Sequence, residues 1–222
     1  MRIWLDTANI DEIRAAARLG VLSGVTTNPT LIAKEVGVDY RTRILEIAGV
    51  VDGPISAECV SRTADELVEE GREIAAWHPN VVVKIPVDEA GLEAIHRLSR
   101  EGVQINTTLV FSVNQALLAA EAGAAYVSPF VGRLDDVGHD GIALVRQIVE
   151  VFDRYHLPCR VIAASLRHPR HVEQAAQVGA HIATMPYSVL TGMVRHPLTD
   201  VGIQRFLEDA RRAGVGRVAS AS

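Results

Sequence analysis

Lys84 stands in the run N-V-V-V-K-I-P-V-D of residues 80–88, among three valines and Ile85. β-Branched residues without polar alternation describe a strand covered on both faces. An unpaired ammonium there would be costly, so the lysine must be paired, partly solvated or neutral. One reading is a side chain that carries its head group to water at a strand end, since Pro86 follows two residues later. The other is chemical. Burial lowers a lysine's proton affinity, and a neutral ε-amine attacks a carbonyl to form a Schiff base. That chemistry needs a proton shuttle for carbinolamine formation and dehydration, and a base for the hydroxyl whose ionisation cleaves a carbon–carbon bond. Asp6 and Glu58 are the available carboxylates. Asp6 is assigned the C4-hydroxyl proton, and a relay of Glu58, Thr108 and a water is assigned the imine steps. A structural ion pair to Lys84 is the competing account of both carboxylates.

An anion site is also legible. V-G-R-L-D-D presents Arg133, and A-A-S-L-R-H-P-R-H places Ser165 and Arg167 just before a helix that begins near Pro169. Helix N-termini offer free N–H groups, and the loops after the late strands of a barrel commonly hold phosphate. Two arginines and a hydroxyl therefore imply a phosphorylated substrate, whereas Arg170 and His171 read as a solvated basic turn. The acidic stretch with Asp135, Asp136, His139 and Asp140 matches no standard metal-ligand spacing and reads as loop capping.

These side chains need strands to carry them. Apolar, β-rich runs recur at residues 2–6, 24–27, 55–60, 81–86, 103–110, 126–131, 160–165 and 181–186, with helical patterns between them. Eight such alternations predict an α/β fold, a closed parallel (β/α)8 TIM barrel rather than an open doubly wound sheet. Asn9 or Thr7 is expected to cap a helix over 10–19, Thr63 one over 64–77 and Ser112 one over 113–122, which Gly123 ends. Residues 31–50 are expected to hold two short helices, and 198–213 an amphipathic terminal helix. Alternation along strands then decides which side chains share the barrel interior with Lys84. It selects Asp6, Ser56 with Glu58, Asn106 with Thr108, Thr26 with Asn28, Ser128 with Phe130, and Ser165. One polar set thus collects at the C-terminal mouth, where barrel active sites are built.

Composition sets the outer limits. The chain has 222 residues, 48% hydrophobic and 22% charged, with a formal net charge of −5. It is expected to form one barrel domain over residues 1–213, including the terminal helix, followed by a flexible tail over 214–222. The acidic balance argues against nucleic acid as a partner, and without a basic-then-apolar leader or long apolar run a cytoplasmic location without membrane contact is expected. Cys59 and Cys159 are expected to be buried free thiols.

Taken together, L-D-T-A near the N-terminus, G-V-T-T-N-P-T at 24–30, V-V-V-K-I-P, Q-I-N-T-T-L-V-F-S, Y-V-S-P-F-V-G-R-L-D-D and I-A-A-S-L-R-H-P resemble the small transaldolases, relatives of fructose-6-phosphate aldolase among the class I aldolases. The resemblance implies Lys84 as the Schiff-base lysine, Asp6 as acid/base, and Glu58 with Thr108 as the pair that binds a water. It implies Asn28 and Asn106 as contacts of a dihydroxyacetone moiety, with Thr26 and Ser128 nearby, and Arg133, Ser165 and Arg167 as phosphate ligands. Aldolase relatives typically carry glutamine at the position of Glu58 and tyrosine at that of Phe130, so both positions here resemble the transferase branch. The implied activity moves a dihydroxyacetone unit from sedoheptulose 7-phosphate or fructose 6-phosphate to an aldose phosphate, in the non-oxidative pentose phosphate pathway, without metal or cofactor. The implied assembly is a homo-oligomeric ring of five or ten chains formed through the terminal helices. Two rivals stand beside this reading: an aldolase that releases free dihydroxyacetone, and a non-catalytic sugar-phosphate-binding barrel.

Overall fold

The computed structural model describes residues 1–215. Eight parallel strands, β1 (Arg2–Asp6), β2 (Leu22–Thr26), β3 (Ile55–Glu58), β4 (Val81–Pro86), β5 (Ile105–Val110), β6 (Tyr126–Pro129), β7 (Arg160–Ala163) and β8 (Ile182–Met185), pair in sequence order, and β8 returns to β1. The closed (β/α)8 barrel expected from the alternation is therefore the fold. Several strands end one or two residues short of the hydrophobic runs that announced them, because the chain leaves the ladder as it turns over the mouth.

Helices α1 (Ile10–Arg18), α4 (Ala64–Ala75), α5 (Glu89–Arg100), α6 (Val113–Glu121), α8 (Gly141–Tyr155) and α9 (Pro169–Gln177) cover the outside, with α2 (Pro29–Ile32) and α3 (Tyr40–Ala48) between β2 and β3. Their starts follow the capping chemistry. The Asn9 side chain accepts from the backbone N–H groups of Asp11 and Glu12, Thr63 and Glu66 form a reciprocal capping box, and Ser112 accepts from Gln115; each such cap contributes on the order of 1 kcal/mol. A short helix, α7 (Val131–Asp136), forms where the acidic stretch reads as a loop, while Asp140 caps α8 through the N–H of Ala143 at 2.9 Å. Helices α10 (Tyr187–Val194) and α11 (Pro197–Ala213) end the described chain. No helix among the described residues is long and apolar enough to cross a membrane. Both cysteines are buried free thiols.

The core has two layers. The larger lies between sheet and helices and takes the outward-facing strand residues, among them Leu5, Val25, Ile55, Ala57, Val83, Ile85 and Ile105. The smaller, Trp4, Val82, Tyr126, Ile162 and Ile182, plugs the barrel axis. Each plug residue precedes by two positions a residue at the mouth: Trp4 and Asp6, Val82 and Lys84, Tyr126 and Ser128, Ile162 and Ala164, Ile182 and Thr184. Period-two alternation thus stacks a polar layer directly above a dry one. Lys84 sits on the polar side of that boundary.

Candidate active site

Strand register brings the first partners together. Glu58 on β3 lies opposite Lys84, and Lys84 lies opposite Asn106 on β5. Lys84 is 4% exposed, and its Nζ stands 2.9 Å from Glu58 Oε2 and donates to the Thr27 carbonyl at 3.1 Å. The lysine does not reach bulk water at a strand end, and its burial is answered by an ion pair and a backbone acceptor. The same contact puts a proton acceptor beside the amine. Of the two carboxylates, Glu58 is the one that makes this pair.

Asp6, at the end of β1, sits across the mouth. Its Oδ1 accepts from Thr26 Oγ1 at 2.8 Å, and Thr26 Oγ1 is 2.6 Å from Thr184 Oγ1. A hydroxyl chain running Thr184 to Thr26 to Asp6 satisfies all three groups. Burial raises the Asp6 carboxyl above the usual aspartate range, opposed chiefly by the positive charge of Lys84 and then by the Thr26 hydrogen bond. A carboxylate with raised proton affinity is the better general base. Thr184 lines the same cavity and was absent from the sequence-based set; its alternation with Ile182 on β8 was the available signal.

A cavity of about 90 Å³ opens between these strands, lined by Asp6, Thr26, Asn28, Lys84, Ser128, Phe130, Arg133, Ala164, Ser165 and Thr184. A neighbouring space of about 240 Å³ shares Asn28, Lys84, Phe130 and Arg133 with it and adds Glu58 and Thr108. Thr108 Oγ1 is buried without a partner among the described residues, which is the signature of a group that holds a water or a ligand. Asn28 caps α2 through its Oδ1, accepting from Leu31 N–H at 3.0 Å, so its amide NH2 is the group it can offer the cavity. Asn106 is fully buried: its Oδ1 accepts from Ser128 Oγ at 2.8 Å and its Nδ2 donates to Ser56 Oγ at 3.0 Å. Ser128 lines the cavity and Asn106 does not.

The anion side is less complete than the sequence implies. Arg133 projects from α7 with its guanidinium 4.9 Å from the centre of the Phe130 ring, and both line the cavity. Ser165 lines it too, but not through strand alternation, which would turn it outward after Ala164. Its backbone adopts φ +58°, a left-handed turn that reverses the direction of the side chain. Arg167 does not line the cavity; its Nη2 lies 2.5 Å from Asp136 Oδ2, on the outer side of the site. Its loop is fastened nonetheless. Gly132 N–H donates to the Ser165 carbonyl at 3.0 Å, Arg167 N–H donates to His171 Nδ1 at 3.2 Å, and His171 Nε2 is 2.9 Å from Asp135 Oδ2. His171 is therefore a buried anchor and not part of a solvated basic turn. Its buried position, then the neighbouring His168, hold it below the usual histidine range.

The site as built offers an amine next to a carboxylate, a second carboxylate of raised proton affinity across the cavity, hydroxyl and amide groups between them, and a cation at one end. The chain matches the family model described as transaldolase/fructose-6-phosphate aldolase over residues 3–221. A protein of Roseiflexus sp. (strain RS-1) named "Probable transaldolase" is 61% identical over 209 residues, 94% of this chain and 96% of that protein. Proteins of the same name from Roseiflexus castenholzii (58% identical, 98% of this chain and 100% of that protein) and Heliobacterium modesticaldum (61%, 94% and 97%) are similar over the same extent. With a closed eight-stranded barrel, a lysine and two carboxylates at its mouth and a family match running almost end to end, the chain belongs to the transaldolase/fructose-6-phosphate aldolase family of enzymes.

Proposed function

We propose that the protein is a transaldolase working through a Schiff base on Lys84, and the buried Lys84–Glu58 pair facing the Asp6 cavity is the observation that carries this reading. Lys84 Nζ passes a proton to Glu58 at 2.9 Å and attacks C2 of a ketose phosphate. The carbinolamine then loses water to give the imine, with a water held between Glu58 and the unpartnered Thr108 hydroxyl carrying protons. Asp6 removes the C4-hydroxyl proton, the C3–C4 bond breaks, and the electron pair passes into the imine to form an enamine while an aldose phosphate leaves. The enamine attacks the aldehyde of a second aldose phosphate, Asp6 returns the proton, and hydrolysis frees Lys84. The imine itself is the electron sink, so the scheme uses no metal or cofactor.

Asn28, Ser128 and Thr26 are the proposed partners of the three-carbon unit, with Asn106 acting from behind through its bond to Ser128, and Arg133, Ser165 and Arg167 are those of the phosphate, with Arg167 turning from Asp136 to reach it. Donors are sedoheptulose 7-phosphate or fructose 6-phosphate, in the non-oxidative pentose phosphate pathway of the cytoplasm. Phe130 favours transfer over release, because a phenyl ring offers the enamine no proton. A free-dihydroxyacetone aldolase would gain from a hydroxyl there, and glutamine in place of Glu58. Glu58→Gln together with Phe130→Tyr should accordingly raise acceptor-independent release of dihydroxyacetone about tenfold; unchanged release would remove this account of the branch. A barrel that binds sugar phosphate without chemistry would not need Lys84.

The deciding experiment is borohydride reduction of the protein with fructose 6-phosphate, read by peptide mapping, beside product analysis with and without erythrose 4-phosphate. A three-carbon adduct on Lys84 and sedoheptulose 7-phosphate formed only with acceptor support the transaldolase. An adduct with acceptor-independent dihydroxyacetone would make it an aldolase, and bound sugar phosphate without an adduct would leave a binding barrel.

A further inference from the structure

We propose that Tyr40, the first residue of α3, is a positioning residue that holds Glu58 against Lys84. The reason begins with a missing strand partner. In β3 the even-numbered backbone groups face β2: Thr27 N–H and Oγ1 both donate to the Ser56 carbonyl, at 3.1 and 2.8 Å. The odd-numbered groups face β4, as when Cys59 N–H donates to the Lys84 carbonyl at 2.9 Å. The Thr27 carbonyl, which the ladder would next offer to Glu58 N–H, accepts from Lys84 Nζ instead as the chain leaves the sheet into α2. A buried peptide N–H in that position needs another acceptor.

The Tyr40 hydroxyl is that acceptor. Oη accepts from Glu58 N–H at 2.5 Å and donates to the Glu58 carbonyl at 3.4 Å. Its ring is fixed from behind by an edge-on contact with Trp77, centres 5.3 Å apart at 81°. Lys84 Nζ is bonded to the Glu58 side chain and to the Thr27 carbonyl, one on each side of the gap that the hydroxyl fills. Tyr40 lines neither part of the cavity, so it acts through Glu58 and not on substrate. A phenol suits the position because one oxygen both accepts and donates.

This inference rests on the Schiff-base reading, and its test separates the two. Tyr40→Phe keeps the ring and the Trp77 contact and removes one oxygen. In the full-length protein it should slow borohydride trapping of the Lys84 adduct with fructose 6-phosphate about tenfold while KM for that sugar changes less than about twofold. In a Glu58→Gln background the same change should cost less than about twofold, since the group it positions is already altered. Trapping by Tyr40→Phe at the parental rate, or a full tenfold loss repeated in the Glu58→Gln background, overturns the assignment. If Tyr40→Phe melts below the assay temperature, Trp77→Phe replaces it: the hydroxyl stays but its support loosens, trapping should slow about threefold, and an unchanged rate overturns the assignment. A parental protein that forms no adduct overturns the Schiff-base reading and this inference with it.

Discussion

Lys84 and Glu58 share one buried ion pair, so each is the condition for the other's presence. Replacing the amine alone leaves the Glu58 carboxylate, 13% exposed in its side chain, without a counter-charge. Lys84→Met should therefore abolish transfer and also destabilise the fold by about 3 kcal/mol, whereas Lys84→Met with Glu58→Gln should recover more than half of that loss. Urea denaturation of the three proteins checks this, and equal stability of the single and double variants would contradict it. Asp6 behaves oppositely. Because burial raises its proton affinity, the folded chain binds that proton more tightly than the unfolded one. Its contribution to stability is present at acid pH and is lost as pH rises from the ordinary value near 3.8 through the folded value. Asp6→Asn, which cannot ionise, should gain melting temperature over the parent, more at pH 7.5 than at pH 4, while losing transfer at least about a hundredfold. Equal gains at both pH values would show that the carboxylate bears no such cost.

At the scale of elements, the site depends on how the chain leaves each strand. Leu109 takes φ +57° where β5 shifts register against β6, just past the unpartnered Thr108, and Ser165 takes φ +58° where β7 has ended. Non-glycine residues in this region cost about 1–3 kcal/mol each and persist only where the surroundings hold them. Gly132 is part of what holds the second. A Cβ there would lie 2.3 Å from the Ser165 carbonyl oxygen and 2.5 Å from Arg167 Nε, so α7 packs against the β7–α9 loop only because residue 132 has no side chain. Gly132→Ala should push Ser165 and Arg167 away from Arg133, raising KM for fructose 6-phosphate about tenfold but leaving unphosphorylated fructose within about twofold. Equal effects on both sugars would detach this loop from phosphate recognition. Cap residues, by contrast, were legible in the sequence: Asn9, Thr63 and Ser112 each start the helix their side chains announce, because capping is settled within one turn of chain.

For the whole molecule, α11 stands apart. It contains no buried residue, and Leu198, Val201 and Phe206 are 73%, 65% and 73% exposed. A 17-residue helix with such side chains in water is a poor arrangement for an isolated chain, and we propose that copies of this chain associate through this helix. Val201→Asp with Phe206→Asp should reduce the sedimenting species to a monomer with the barrel's circular dichroism intact. An unchanged sedimentation coefficient would place the interface elsewhere. Residues 216–222, most of the expected tail, lie outside the described residues.

Strand alternation and the β/α rhythm are local properties of the chain, so the barrel and the inward face carrying Asp6, Glu58, Asn106, Thr108 and Ser128 are legible in the sequence, whereas the burial of Lys84 was one of two readings it left open. Four things could not be read there. The choice of Glu58 over Asp6 as the partner of Lys84 follows from the β3–β4 register, which is set when the barrel closes. The retreat of Arg167 to Asp136 joins the β7–α9 loop to the end of α7, far apart in sequence, and the left-handed turn that delivers Ser165 breaks the alternation by which it was expected to face inward. The Tyr40 hydroxyl beside Glu58 depends on where β2 stops, and no spacing in the sequence encodes that. Periodicity reports which side of an element is buried; only packing decides which buried groups meet.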